Sequence, residues 1–114
     1  MQFKQREIVL VPFPYSDLSS SKKRPVLIVS NDEYNTKHDE VVVCVITSNL
    51  FQDEYSILLD NSDLEYGILP ESSVVKTHKL FTIHKTKILK KFSVVSSEYF
   101  DKVSNSLVEL FKRK

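Results

Sequence analysis

Glycine is almost absent from this 114-residue sequence, in which Gly67 is the only one. A loop that wraps nucleotide phosphates with its backbone needs several glycines, so the sequence excludes that kind of site. Cysteine is equally scarce, because Cys44 stands alone and no disulfide can form within the chain, which is typical of a reducing compartment. Cys44 lies in the apolar run 41–46, where we expect a buried side chain rather than a reactive thiol.

Long apolar runs and common catalytic or metal motifs are also missing. No stretch approaches the ~20 apolar residues that span a bilayer, and charges interrupt residues 1–11, where a signal peptide would need an apolar core. We therefore expect an unprocessed cytoplasmic protein with no membrane association. C-x-x-C, H-E-x-x-H and G-x-S-x-G patterns do not occur, and the three histidines lack metal-ligand spacing, so no metal site and no cofactor are predicted.

Charge is distributed unevenly along the chain, although the net charge is only +1. Residues 1–30 carry five cations and two acids, and residues 72–91 carry six cations and no acid. Residues 31–71, in contrast, carry ten acids and one cation. If the two basic segments fold together, they form a basic face that suits a polyanion, and the acidic segment is then expected to face away from it.

Five short apolar segments separated by polar turns predict five β-strands. They are EIVLVPFP (7–14), RPVLIVS (24–30), EVVVCVITS (40–48), EYSILLD (54–60) and a long segment mostly from 72 to 83. The third segment is apolar at nearly every position, which predicts a central strand.

Helical signals are shorter and lie between and after the strands. One helical turn capped by Asn31 or Asp32 is expected within 31–39, and one or two turns within 85–91. The tail predicts an amphipathic helix with Ser96 as its N-cap; its apolar residues at 3–4 spacing are Phe100, Val103, Leu107, Leu110 and Phe111. Five strands followed by a helix predict one mainly β domain over 1–114, a small curved β-barrel with the helix packed against it.

A basic and hydroxyl-rich set of side chains is the candidate chemistry. Arg24 begins the second predicted strand, and Thr47 and Ser48 end the third. If these strands are antiparallel neighbours, the three residues meet at one rim of the barrel, where small β-domains commonly bind ligands. The alternatives are a solvent-facing strand start for Arg24 and an ordinary turn at Thr47 and Ser48.

Several segments occur along the chain in a characteristic order: EIVLV, DLSSSKKRP, VLIVS, NDEYN, VVVCVITS and SSVVKTHKLFTIHKTKI. The ordered set resembles the MazF/PemK-type toxins of type II toxin–antitoxin systems over nearly the whole chain. The resemblance implies an SH3-like barrel of the CcdB/MazF type with a C-terminal helix, usually a homodimer. It also implies a metal-independent endoribonuclease that cuts single-stranded RNA, commonly mRNA, and a cognate antitoxin whose disordered segment blocks the RNA groove.

The resemblance assigns roles by position. It makes Arg24 the catalytic arginine and Thr47 the catalytic hydroxyl residue. The later strand often reads Q-x-R-T-x-D in the family and reads KLFTIH here, so that Phe81 replaces the arginine and His84 replaces the acid. Because histidine titrates near neutrality, His84 is the candidate general base, with His78 as the alternative.

RNA can be cut without a metal when its own 2′-OH attacks the adjacent phosphorus. Arg24 is expected to hold the phosphate, stabilise the transition state and serve as a candidate acid toward the leaving oxygen, while Thr47 orients the reacting group. Phe13, Tyr15 or Phe81 are candidates for base stacking. The residues predicted to bind RNA are Ser20, Ser21, Lys22, Lys23, Ser48, His78, Lys79, Thr82 and Lys85.

Two other functions compete with the ribonuclease interpretation. A CcdB-like inhibitor of DNA gyrase would share the fold, but the tail LVELFKRK lacks the Trp-Gly-Ile-like ending typical of that group. A catalytically inactive SH3-like binding module is the other alternative, and the residues found at positions 81 and 84 are the reason to consider it.

Overall fold

The computed structural model describes residues 2–12 and 23–114, in which six strands and two helices are assigned. The strands are β1 (Glu7–Pro12), β2 (Lys23–Ile28), β3 (Glu40–Thr47), β4 (Ser56–Leu59), β5 (Ser73–His84) and β6 (Lys90–Val94). The helices are α1 (Asp32–Lys37) and α2 (Ser97–Phe111), and single 3₁₀ turns cover Asn61–Asp63 and Lys85–Lys87. Within the described residues, neither helix is long and apolar enough to cross a membrane.

All six strands form one antiparallel sheet in the order β4-β5-β3-β2-β1-β6. The sheet curls into a half-barrel, with β3 in its interior and α2 after the last strand, so the predicted mainly β fold with a C-terminal helix is confirmed. The five predicted strands are confirmed as well.

β6 corrects the prediction of helical turns over 85–91. Only Lys85–Lys87 forms a 3₁₀ turn, and the chain then pairs with β1, with Lys91 opposite Val9 and Lys90 opposite Leu10. The Lys91 ammonium also lies 3.2 Å from the carboxylate of Glu7 on β1. Strand pairing and this cross-strand ion pair outweigh the weak helical tendency of a lysine-rich segment.

Two buried clusters lie on opposite faces of the sheet because strand side chains alternate between faces. One cluster includes Ile8, Leu27 and Cys44, and the other includes their neighbours Val9, Val26 and Val43. The first cluster is covered by α2, which contributes the buried side chains Tyr99, Phe100 and Val103.

The start of α2 was predicted correctly, since the Ser96 hydroxyl accepts a hydrogen bond from the Tyr99 N–H at 3.1 Å. The apolar stripe ends earlier than its spacing indicates. Leu107 packs against the core, whereas Phe111 at the last turn is 72% exposed. Asn31 caps α1 in the same way as Ser96 caps α2, with its side chain accepting from the Tyr34 N–H at 2.8 Å.

A bulge interrupts β5 in the middle of its pairing with β3. Lys76 lies opposite Val45 and Leu80 lies opposite Cys44, so the three residues 77–79 have no ladder partner on β3. The backbone N–H and the hydroxyl of Thr77 both donate to the carbonyl of Tyr55 at 3.0 Å, which ties the bulge to the segment before β4. Bulges bend a strand and redirect its side chains, and they are frequent beside functional sites.

Candidate functional site

Arg24 and Thr47 face each other across β2 and β3 at one rim of the sheet. The antiparallel register pairs Val26 with Val45, and two residues further along both strands the same register brings Arg24 opposite Thr47. Both side chains are half-buried and line the same two cavities. The predicted neighbourhood of β2 and β3, and the meeting of Arg24 with the end of β3, are therefore confirmed.

Two cavities share the wall formed by Arg24, Ile46 and Thr47. The first, of about 350 Å³, is largely apolar and is lined further by Leu10, Pro25, Ser48, Leu69, Pro70, Glu71, Ser73, Lys90 and Phe92. The second, of about 520 Å³, is more polar and is lined further by Val45, Asn49, Phe51, Asp53, Lys76, His78 and Lys79. An extended ligand can therefore occupy both cavities and place its middle against Arg24 and Thr47.

The loop after β3 folds back on itself through short-range hydrogen bonds. The Thr47 oxygen accepts from the Asn49 N–H at 3.2 Å, and the Asn49 side chain accepts from the Phe51 N–H at 3.1 Å. These local bonds are typical of Ser/Thr and Asx turns. Because its oxygen accepts the Asn49 N–H, the Thr47 hydroxyl keeps its own proton for donation to a ligand.

Asp53 accepts hydrogen bonds through Oδ1 and faces two basic side chains through Oδ2. Oδ1 accepts from the Tyr55 N–H at 2.9 Å and from the Ser56 hydroxyl at 3.0 Å. Oδ2 lies 3.6 Å from the Lys76 ammonium and 3.7 Å from Nε2 of His78. The backbone N–H of Tyr55 is the main cause that lowers the pKa of Asp53, with smaller contributions from Ser56, Lys76 and His78. The carboxylate is thus ionised at neutral pH.

Lys76 is a buried cation beneath the second cavity, with its side chain 9% exposed. Its ammonium donates to the Phe51 carbonyl and to the Ser56 hydroxyl, both at 2.8 Å, which compensates for the loss of water. The ammonium also lies 5.6 Å from the centre of the Phe51 ring. Phe51 is 71% exposed and lines the same cavity, so its ring is accessible to a ligand there.

The structure brings some of the predicted site residues together. Ser48 joins Arg24 and Thr47 in the first cavity, and His78 and Lys79 join them in the second. Lys23 is exposed at the start of β2, next to Arg24. The predicted residues Ser20, Ser21 and Lys22, and the candidate stacking residues Phe13 and Tyr15, lie outside the described residues.

The structure does not bring Thr82, His84 and Lys85 to this rim. Thr82 lies opposite Val42, and His84 lies opposite Glu40 at the other end of β3. Glu40 and Thr47 are seven positions apart, which is about 23 Å along an extended strand. Lys85 follows β5 at that distant end, where its ammonium donates to the Asn35 carbonyl. The predicted pairing of His84 with Arg24 and Thr47 therefore does not occur within one chain.

Two further expectations need correction. Phe81 is half-buried and packs against the buried cluster that contains Val9, so it does not lie beside the cavities as a stacking residue. The acidic segment does not face away from the site as a whole, because Asp53 lines the second cavity and Glu71 lines the first. The average charge over residues 31–71 gave no sign that the loops bring the individual carboxylates of Asp53 and Glu71 to the cavities.

Sequence reasoning missed Phe51, Asp53 and Lys76. A charge inside the apolar stretch SVVKT was the available signal for Lys76, since a buried strand accepts a lysine only with specific partners. Asn49 and Asp53 are turn-forming residues soon after the strand that ends at Thr47. Their positions were the available signal that the loop after β3 folds back toward the site. Within residues 2–12 and 23–114, no group of three or more His, Cys, Asp or Glu side chains is placed to hold a metal ion.

Solved structures with this fold support the assignment of the architecture. An endoribonuclease in complex with its cognate antitoxin from a mycobacterial species is 18% identical, with a TM-score of 0.79 over 98% of this chain and 99% of that chain. The Mycobacterium tuberculosis toxin MazF-mt6 is 19% identical, with a TM-score of 0.75 over 93% and 96% of the two chains. A MazE-MazF structure from Deinococcus radiodurans is 16% identical, with a TM-score of 0.76 over 100% and 99%.

At 16–19% identity, the solved structures establish a shared fold but not a shared family. Sequence comparison provides the evidence for the family. No curated protein sequence matches the chain. A family model described as PemK-like, MazF-like toxin of type II toxin-antitoxin system matches residues 4–111, which is nearly the whole sequence. This chain therefore belongs to the PemK-like, MazF-like toxins of type II toxin–antitoxin systems.

Proposed function

We propose that this chain is an endoribonuclease that cleaves single-stranded RNA, with mRNA as the expected substrate, by metal-independent transesterification. The observation that carries the proposal is the juxtaposition of Arg24 and Thr47 on the wall shared by the two cavities. Membership of the toxin family supports it, as do structural neighbours that are themselves endoribonucleases.

The reaction needs few groups. The 2′-OH loses its proton, a bond forms between O2′ and phosphorus, and the bond to O5′ breaks, which leaves a 2′,3′-cyclic phosphate and a 5′-OH. Arg24 stabilises the charge on the non-bridging oxygens, because its guanidinium is planar and permanently charged. A preorganised donor of this kind lowers the activation free energy by on the order of 3 kcal/mol. Thr47 orients the scissile phosphate by donating its hydroxyl proton.

The two cavities take the nucleotides on either side of the scissile phosphate. Lys79 is exposed and lines the second cavity, and Lys23 is exposed directly before Arg24 on β2; both attract the RNA backbone electrostatically. Ser48 lines the first cavity and hydrogen-bonds to the backbone. Phe51 is the stacking platform for one base, because its ring is exposed at the mouth of the second cavity. The predicted contributions of Ser20, Ser21 and Lys22 to RNA binding remain part of this proposal.

Partners and location follow from the family. Structural neighbours from a mycobacterial species and from Deinococcus radiodurans are complexes with an antitoxin. For this chain we expect a cognate antitoxin with an extended, disordered segment that blocks the RNA groove. We also expect a homodimer of single-domain chains that acts in the cytoplasm.

The test is a cleavage assay on a long single-stranded RNA with EDTA present. Wild-type protein should cut and leave 2′,3′-cyclic phosphate ends, and a 2′-deoxy substitution at the cleaved position should abolish the reaction. Arg24→Ala should lower kcat by about 10²–10³-fold with an unchanged circular dichroism spectrum. Arg113→Ala is the matched control, since Arg113 is exposed beyond the end of α2.

Two results would refute the proposal. Wild-type protein that does not cut RNA would leave the gyrase inhibitor and the inactive binding module as the remaining functions. Arg24→Ala protein that cuts as fast as wild type would remove the assigned role of the arginine.

A further inference from the structure

His78 occupies the middle of the β5 bulge and lines the second cavity together with Arg24 and Thr47. We propose that His78 is the general base for the 2′-OH and that Asp53 is its positioning residue. This inference rests on the ribonuclease function proposed above and names the group that moves the proton in that same site.

The two ring nitrogens of His78 have different environments. Nδ1 is buried and has no hydrogen-bond partner among the described residues. Nε2 lies 3.7 Å from Oδ2 of Asp53, and the side chain is 30% exposed. Nε2 is therefore the nitrogen that a ligand in the cavity can reach. The distance to Asp53 exceeds a hydrogen bond, so Nε2 is not tied to the carboxylate. Nε2 acts as the base when the neutral ring carries its hydrogen on Nδ1.

The bulge explains why a histidine at this position faces the cavity. Residues 77–79 have no ladder partner on β3, and Thr77 is anchored to the Tyr55 carbonyl by two hydrogen bonds of 3.0 Å. The adjacent Tyr55 ring lies 6.0 Å from the His78 ring. The segment before β4 thus supplies both the anchor of the bulge and the carboxylate of Asp53.

The proton transfer balances without a metal. Nε2 of His78 takes the proton of the 2′-OH as O2′ bonds to phosphorus, and the departing O5′ takes a proton from water. The imidazolium then returns its proton to solvent. Asp53 stabilises the imidazolium as it forms, because its carboxylate is already ionised and fixed by the Tyr55 N–H and the Ser56 hydroxyl.

Several charged groups face this pair and set its electrostatics. Lys76 on β5 lies 3.6 Å from the same oxygen of Asp53, and Arg24 and Lys79 line the same cavity. Lys76 is held by the Phe51 carbonyl and the Ser56 hydroxyl, so it balances the charge of Asp53 without reaching the substrate.

His84, the base favoured by the sequence, has a structural role. Its Nδ1 accepts from the Thr86 N–H at 3.2 Å and lies 2.9 Å from the Thr86 hydroxyl, so that it caps the 3₁₀ turn Lys85–Lys87. A ring nitrogen used in this way, far from Arg24 and Thr47, does not move the proton in the same chain.

The experiment measures single-turnover cleavage by purified full-length protein over a range of pH, on an RNA with one scissile ribonucleotide. His78→Gln should lower the rate by about 10²–10⁴-fold and remove the decline of activity toward acidic pH that a histidine base produces. Asp53→Asn should lower the rate less than His78→Gln does and keep the decline, displaced along the pH axis. His38→Gln is the matched control, because His38 is exposed and stacked on Tyr34 next to α1.

A 5′-thio leaving group separates a base from an acid, since sulfur departs without a proton. The defect of His78→Gln should persist on this substrate; a rescued rate would make His78 the acid and overturn the proposal. If His78→Gln keeps the wild-type rate and pH profile while wild-type protein cuts RNA, the inference fails and the ribonuclease function stands. If a His84→Gln variant alone loses activity, the base is His84. Absence of cleavage by wild-type protein would refute the function itself.

Discussion

Thr77 connects the bulge of β5 to two other elements, and its hydroxyl can be removed without a change of shape. Thr77 is fully buried; its hydroxyl donates to the Tyr55 carbonyl at 3.0 Å and lies 2.6 Å from the Ser106 hydroxyl on α2. Since the single hydroxyl proton goes to Tyr55, Ser106 is the donor in the second bond. We predict that Thr77→Val destabilises the protein and slows RNA cleavage, because the bulge carries His78.

The magnitude follows from the bonds that are lost. A neutral hydrogen bond contributes a net of about 0.5–1.5 kcal/mol, and two are removed. The Tyr55 carbonyl keeps the Thr77 N–H, and Ser106 is half-buried and accessible to water, so no buried polar group is left without a partner. The expected loss is therefore about 1–3 kcal/mol of unfolding free energy, or roughly 4–13 °C in Tm for a chain of this size.

Urea unfolding followed by circular dichroism measures this loss, and Ser106→Ala provides the matched control. Ser106→Ala removes only the bond between Ser106 and Thr77, so the double variant should cost about as much as Thr77→Val alone after the small helix-propensity gain of alanine. If Thr77→Val lies within about 0.5 kcal/mol of wild type with an unchanged m-value, the hydroxyl does not anchor the bulge.

Two other predictions concern ionisable groups. The Tyr55 N–H, and then the Ser56 hydroxyl, lower the pKa of Asp53 in the folded chain. The stability that this carboxylate contributes is therefore present above its pKa in the unfolded chain, about 4, and is lost as the pH falls below that value. Asp53→Asn should therefore lose less unfolding free energy than wild type between about pH 6 and about pH 3 in urea titrations, and an equal loss would contradict the assignment. Burial raises the pKa of Cys44 to about 12, so its thiol should resist a disulfide reagent in the native state and react fully in urea. Rapid labelling of native protein would show that this part of the core opens readily.

Much of the fold could be predicted because it depends on local patterns. Apolar segments between polar turns predicted β1 to β5, and the caps Asn31 and Ser96 marked the helix starts. β6 was missed because KKFSV has little apolar alternation and becomes a strand by pairing with β1. Phe111 follows the helical spacing but is exposed and is not among the described residues that pack against either buried cluster.

The site divides in the same way. The sequence by itself determined that a basic residue begins one strand and a hydroxyl residue ends the next, and antiparallel pairing is enough to bring Arg24 to Thr47. Only the tertiary structure decided which histidine joins them. A strand pattern cannot show the bulge that redirects His78, nor the loop that brings Asp53 to it, because both depend on contacts between residues more than 20 positions apart. Distance along β5 then separates His78 from His84, and that distance, rather than residue type, determines which of the two can share a phosphate with Arg24.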